Sequence, residues 1–222
     1  MLNLPRSRNL SDMRSCIAIS GLASHPFGSW KQRDNIATFM WLRDGLPQDI
    51  PQIRVITYGY DTCLFASKSV QGIDDLARSM IKKLEAIRRL GRHRKPIIFI
   101  AHSLGGIVLK RALTLMANSG ADSQELSFVF RLVCMIVFFG VPTRGMHISH
   151  LLLMVQGQPN ESLIKSLSRD SEYLSRLHTS FSGIASRSSI RLISAYETKK
   201  SPTPKVCNFY TYTICIVAKG PD

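Results

Sequence analysis

Apolar residues in this chain fall into short β-prone runs, separated by stretches where they recur at three- and four-residue steps. The runs predict strands at residues 15–20, 53–58, 97–101, 132–139 and 189–195. The stepped stretches predict helices. The clearest covers residues 73–90, where Ile73, Leu76, Ala77, Met80, Ile81, Leu84, Ile87 and Leu90 make one apolar stripe and Gly91 closes it. A short helix is expected at 39–46, with Trp41 and Leu42 on its apolar face. A buried one is expected at 107–117, with Val108, Ala112, Leu115 and Met116 inward and Gly120 ending it. Residues 132–139 are so uniformly apolar that they predict a central parallel strand buried on both faces. Between His147 and Ser186 the chain turns polar, and Leu163, Leu167, Leu174 and Leu177 suggest one or two helices, inserted where a lid could form. Strands alternating with helices throughout predict an α/β fold with a mainly parallel, doubly wound sheet.

The most informative junction is residues 96–106, Pro-Ile-Ile-Phe-Ile-Ala-His-Ser-Leu-Gly-Gly. A β-branched run enters a serine bracketed by small residues, and a helix follows. This is the G-x-S-x-G nucleophile elbow with Ala101 in the first glycine position and Gly105 in the second. A side chain two positions to either side of the serine would collide with the strand or the helix. Ser103 then stands at the tip between His102 and Leu104, with Gly106 in the first helical turn. The Leu104 N–H is aimed at the oxyanion of an attacked acyl group. The second oxyanion donor is expected in the glycine-containing loop after the first strand, from Leu22 or Ala23. His25 in that loop reads as an exposed histidine beside Pro26, and Asp61 after the second strand reads as a turn residue.

Composition narrows this picture. The chain has 222 residues, 45% of them hydrophobic, and a mean hydropathy near zero, enough for one sizeable core. One α/β domain is expected at residues 15–204, after an irregular segment 1–14 and before a divergent strand or tail at 205–222. The five cysteines show no C-x-x-C spacing. Cys16 and Cys134, inside strand-like runs, read as buried free thiols of a reducing compartment. Neither a disulfide framework nor a metal site is indicated. The longest apolar run is far short of the ~20 residues of a membrane-spanning helix. The basic start, with Arg6, Arg8 and Arg14, has no apolar core behind it, which argues against a secretory signal and leaves a weak mitochondrial presequence open.

The net charge is +14. Much of it lies in residues 78–95, where Arg78, Lys82, Lys83, Arg88, Arg89, Arg92, Arg94 and Lys95 share the stretch with Glu85. A solvated helix face and a basic loop account for this. No recognition motif or aromatic interleaving points to nucleic acid, and an anionic membrane surface is the more pertinent partner. The oligomeric state is not legible.

Taken together, the stretches Ile17-Ala18-Ile19-Ser20-Gly21-Leu22, Phe27-Gly28-Ser29-Trp30-Lys31, Trp41-Leu42-Arg43-Asp44, Tyr58-Gly59-Tyr60-Asp61, Ile100-Ala101-His102-Ser103-Leu104-Gly105-Gly106, Phe138-Phe139-Gly140-Val141-Pro142 and Tyr196-Glu197-Thr198 resemble a fungal α/β-hydrolase family. It is the serine-active-site, lipase/esterase-like group, also found as the N-terminal domain of fungal NACHT, ankyrin or tetratricopeptide signalling proteins. The resemblance implies the α/β-hydrolase fold, an acyl ester or lipid substrate, no cofactor, and a triad in the order Ser, acid, His. By that resemblance Ser103 is the nucleophile and Glu197 the acid. An intracellular, cytoplasmic site of action is expected, and the resemblance adds association with mitochondrial or endoplasmic reticulum membranes as the alternative. The departure is the base. The family's histidine follows the final strand, no histidine occurs after His178, and the motif pattern dissolves past Pro204. The fold is therefore expected to be C-terminally incomplete. His102 should point away from the serine hydroxyl, and His147, His150 and His178 are weak substitutes. The resulting reading is a serine ester hydrolase with weak or absent turnover. Its alternative is a non-catalytic interaction or signalling module.

Overall fold

The computed structural model describes residues 14–32, 39–61, 63–91, 95–119 and 123–196. Five strands, β1 (Arg14–Ile19), β2 (Ile53–Tyr58), β3 (Ile97–His102), β4 (Val133–Phe139) and β5 (Arg191–Ala195), form one sheet in the order β2-β1-β3-β4-β5, parallel at every pairing. The helices are α1 (Leu46–Asp49), α2 (Ile73–Gly91), α3 (Leu104–Ala117), α4 (Gln124–Arg131), α5 (Ser149–Val155), α6 (Glu161–Ser166) and α7 (Glu172–Ser186).

Strand order determines where these helices lie. The chain steps outward from β1 to β2, then reverses past β1 to β3 and continues the same way to β4 and β5. Right-handed crossovers place the first connection on one face of the sheet and the later ones on the other. The layers agree with that. Leu76, Met80 and Leu84 of α2 and Ile107, Leu113 and Met116 of α3 share one core cluster with Ile17, Ile19, Ile97 and Phe99 of the sheet. On the opposite face Cys16, Ala18 and Ile100 pack against Trp30, Met40 and Leu42. That layer is thin, built from α1, a 3-10 turn at Gly28–Trp30 and a π-helical turn at Trp41–Gly45. Trp30 and Trp41 meet edge to face there, with ring centroids 6.1 Å apart.

Several expectations need correcting. β4 is covered on both faces except at Cys134: Val133, Ile136 and Phe138 are buried in the main core, and Val137 and Phe139 are half-buried against the opposite cluster. Ile97 pairs with Val133 but Ile98 with Met135, so Cys134 is the extra residue of a β-bulge. The bulge turns Cys134 outward, and its thiol is exposed where a buried one was expected. Cys16 is buried as expected, and desolvation pushes its thiol up to about 12. The helix expected at 39–46 is instead the π-helical turn followed by α1, with the Asp44 carboxylate accepting the Met40 N–H at 2.7 Å. α4 was not foreseen, because Leu126, Val129 and Phe130 make a stripe too short to register.

The region after β4 holds three helices rather than one or two, and it is not a free lid. Leu151, Val155, Leu163, Ile164 and Leu167 are part of the main core. The base of the excursion is closed by the Met146 N–H donating to Leu167 O at 2.9 Å. Gly145 permits this closure. It has φ +78, and a Cβ on it would come within 2.0 Å of Ser168 O.

Candidate active site

In an open parallel sheet, ligands bind outside the C-terminal strand ends, where connections diverge to opposite faces. Here that point lies between β1 and β3. The loop leaving β1 begins Ser20-Gly21-Leu22, and the one leaving β3 is Ser103 itself. The two touch: a Cβ on Gly21 would lie 2.8 Å from Ser103 Cβ and 2.9 Å from His102 Nδ1.

Ser103 joins the end of β3 to the start of α3 with φ 51 and ψ −126, a conformation that L-residues with a Cβ adopt only under strain. Its N–H donates to Phe139 O at 2.9 Å, tying the turn to the end of β4, and its carbonyl accepts the Gly106 N–H at 3.0 Å. Ala101 is fully buried beneath the turn. Gly105 and Gly106 let the first turn of α3 close on its neighbours. A Cβ at 105 would sit 2.4 Å from Ser20 O, and one at 106 would sit 2.2 Å from Val141 Cγ2. Leu104 is buried at the head of α3, and its N–H finds no acceptor among the described residues. Ser103 is half-buried, so the hydroxyl stands at a helix N-terminus beside a free backbone donor.

Leu22 is half-buried and Ala23 exposed, and Ala23 also has a positive φ of 50. Both follow directly on the glycine that abuts Ser103. His25 is exposed and occupied locally: its Nδ1 accepts the Phe27 and Gly28 N–H groups at 3.2 and 3.0 Å. Asp61 is the turn residue expected, its carboxylate accepting the Cys63 N–H at 3.2 Å.

No side chain hydrogen-bonds Ser103 Oγ among the described residues. His147 and His150 are exposed at the start of α5. His178 is exposed on α7; partial burial and the positive charges of Lys110 and Arg144 push its imidazole below its ordinary pKa. Glu197 follows Tyr196, just past the end of β5, and lies outside the described residues, as do residues 205–222.

Two features went unread in the sequence. Nothing local in the sequence marks the contact of Gly21 with Ser103. Lys110, seven residues along α3, is 6% exposed. Its Nζ donates to Thr143 Oγ1 at 2.8 Å and lies 5.0 and 5.5 Å from the ring centroids of Phe138 and Phe181. Desolvation brings that ammonium down to about 8.

The architecture matches solved structures. Phospholipase PlaB from Legionella pneumophila, in complex with thio-NAD, superposes with a TM-score of 0.58 at 15% identity, over 84% of this chain and 38% of that one. The mature lipase BlEst2 of Bacillus licheniformis gives 0.54 at 14% identity, over 91% of this chain and 73% of that one. The fold is that of the α/β-hydrolases. No protein-family model matches the chain. Among curated proteins, it is similar to protein SERAC1 of Bos taurus, 26% identical over 196 residues, and of Danio rerio, 27% identical over 198 residues. The matches cover 81% of this chain but only 29% and 30% of those proteins, so the chain spans under a third of their length. These relatives are vertebrate. They lend no support to a fungal source or to a place in NACHT-type signalling proteins. Among the described residues, no helix is long and apolar enough to cross a membrane.

Proposed function

We propose that residues 15–204 are a serine hydrolase domain of the lipase/esterase kind, acting on a carboxylic ester of an acyl or lipid substrate. The observation that carries this reading is the strained backbone of Ser103, φ 51, held between a parallel strand and a helix N-terminus. Such strain is retained only where the surrounding structure enforces it, and it is commonest at reactive positions. In the proposed mechanism Ser103 Oγ attacks the acyl carbonyl. The oxyanion is held by the Leu104 N–H together with the N–H of Leu22 or Ala23. The alcohol then leaves carrying the proton that Ser103 gives up, and water adds to the acyl carbon, releasing the carboxylic acid and returning a proton to Ser103. Glu197 is the proposed acid, orienting an imidazole. The relatives support the hydrolase class through their fold, and a phospholipase and a lipase are among them.

One observation favours the second reading, a non-catalytic α/β-hydrolase module: no described side chain hydrogen-bonds the Ser103 hydroxyl. A fluorophosphonate probe separates the two. Labelling that Ser103→Ala abolishes, with turnover of a short-chain activated ester, supports the hydrolase. Absent labelling and absent turnover support the module. Weak turnover is expected, because the oxyanion hole and binding alone retain about 10³–10⁴ over water when a triad member is missing.

The exposed cations of α2, Arg78, Lys82 and Lys83, are available to an anionic membrane surface. The side chains of Arg88 and Arg89, and residues 92–94, lie outside the described set.

A further inference from the structure

The large apolar side chains with substantial exposure are Phe27, Phe39, Phe65, Val70, Leu153 and Tyr196 among the described residues. Single exposed hydrophobics are ordinary on any surface. Five of the six share one placement. Phe27 follows β1, Phe65 and Val70 follow β2, Leu153 lies in the excursion after β4, and Tyr196 follows β5. In a parallel sheet all of these loops leave from one edge, the edge that carries Ser103.

The three most exposed, Phe65 at 65%, Val70 at 75% and Leu153 at 73%, sit on a braced unit. Asn160 Nδ2 donates to Cys63 O at 2.8 Å and to Leu64 O at 3.3 Å. Gln158 Oε1 accepts the Ser67 N–H at 3.3 Å, and its Nε2 donates to Met154 O at 2.8 Å. The loop after β2 is thereby fastened to the α5–α6 corner that carries Leu153. Leu64 and Ser67 are buried on either side, so Phe65 is pushed outward by an anchored loop. A side chain held out in this way loses little freedom on insertion.

We propose that this edge docks on a lipid–water surface, with Phe65, Val70 and Leu153 entering the headgroup–acyl boundary and Ser103 facing the lipid. Apolar groups carried on separate loop tips at one edge match a soft planar partner, which can take each of them up independently. The charge pattern fits lipid headgroups. Lys68 is exposed between Phe65 and Val70, and Lys31 lies 5.7 Å from the Phe27 ring, whereas Arg43 beside the same ring is paired with Asp44. The later part of the basic stretch at 78–95 is set apart from this contact. α2 runs antiparallel to the strands, and Lys95 immediately precedes β3, so the stretch ends at the opposite edge, about 20 Å away at ~3.3 Å per strand residue. A membrane held there would face away from Ser103. The docking proposal stands apart from the hydrolase reading, because binding is measured without turnover.

The experiment is sedimentation with vesicles of zwitterionic lipid containing about one quarter anionic lipid, with Phe65→Trp as a reporter. The expected result is a blue shift of the reporter on adding vesicles. Phe65→Ser/Val70→Ser/Leu153→Ser should lose about 10- to 100-fold in vesicle affinity, with an unchanged circular dichroism spectrum and Tm. Lys82→Glu/Lys83→Glu should bind as the parent does, including in 0.5 M salt, where charge attraction is screened within a few ångströms. Binding abolished by the charge reversal or by salt, yet indifferent to the triple substitution, would overturn the proposal. So would absence of vesicle binding, or a concentration-dependent dimer of the parent that the triple variant dissolves, which would make the face a contact between copies of the chain.

Discussion

Gly105 and Ser20 are packed so closely that a Cβ at position 105 would stand 2.4 Å from the Ser20 carbonyl oxygen. That contact holds the head of α3 against the end of β1 and sets the height of Ser103 above the sheet. The obstacle is backbone, which cannot swing aside as a side chain would. Gly105→Ala should therefore destabilise by about 1–3 kcal/mol, as overpacking does. In a chain of this size that lowers Tm by about 2–4 °C per kcal/mol, measured by thermal melting. An unchanged Tm would mean that α3 can shift outward without strain.

Ser103 itself sits at φ 51, and relief of that strain is measurable apart from any chemistry. Glycine adopts this conformation freely, so Ser103→Gly should remove a cost of about 1–3 kcal/mol and return less than half of it through the greater entropy of the unfolded chain. A Tm above that of the parent is expected, together with loss of fluorophosphonate labelling. Ser103→Ala keeps the Cβ and hence the strain, so it should lose the labelling without the stabilisation.

The sheet and the serine turn were legible because each rests on local pattern. Residues 97–101 and 53–58 announce strands by β-branched runs, and the small residues at 101, 105 and 106 bracket the serine. What stayed hidden depends on partners distant in sequence. The bulge at Cys134 arises from its pairing with β3, and a uniformly apolar run gives no sign of it. Likewise Gly21 earns its place only from Ser103, more than eighty residues later, and Lys110 looks like any helical lysine until Phe138, Thr143 and Phe181 close around it.

Asn160 is 4% exposed, and its amide nitrogen spans the carbonyls of Cys63 and Leu64. Asn160→Ala leaves both acceptors without that donor, Leu64 O at a buried position and Cys63 O at a partly buried one, a loss of about 1–3 kcal/mol. The effect should be local as well as global. Amide exchange at residues 64–70 should accelerate more than at β3, and vesicle binding should weaken although Phe65, Val70 and Leu153 are all still present. Uniform acceleration across the sheet would mean that the loop is not a separate unit.

Lys110 supplies the pH dependence. Its ammonium is buried against Phe138 and Phe181, with Thr143 as its hydrogen-bond acceptor and with the positive charge of Arg144 and the imidazole of His178 nearby. Desolvation lowers it from an ordinary 10.5 to about 8. The unfolded chain therefore holds the proton more tightly than the folded one. Below about pH 8 both states are protonated and the full cost of burying the charge is present, about 3 kcal/mol for a separation of this size. Between about pH 8 and 10.5 the folded state sheds the proton first, and the cost fades as pH rises. Lys110→Met removes the charge but keeps most of the volume in the aromatic box. It also gives up the bond to Thr143, so the net gain at pH 7 should be about 1–2 kcal/mol. Thermal melts of parent and variant at pH 7 and pH 9.5 read this directly: the variant should melt higher at pH 7, and the difference should shrink at pH 9.5. A gain that grew with pH would show the ammonium to be stabilised where it lies, with the aromatic rings outweighing desolvation.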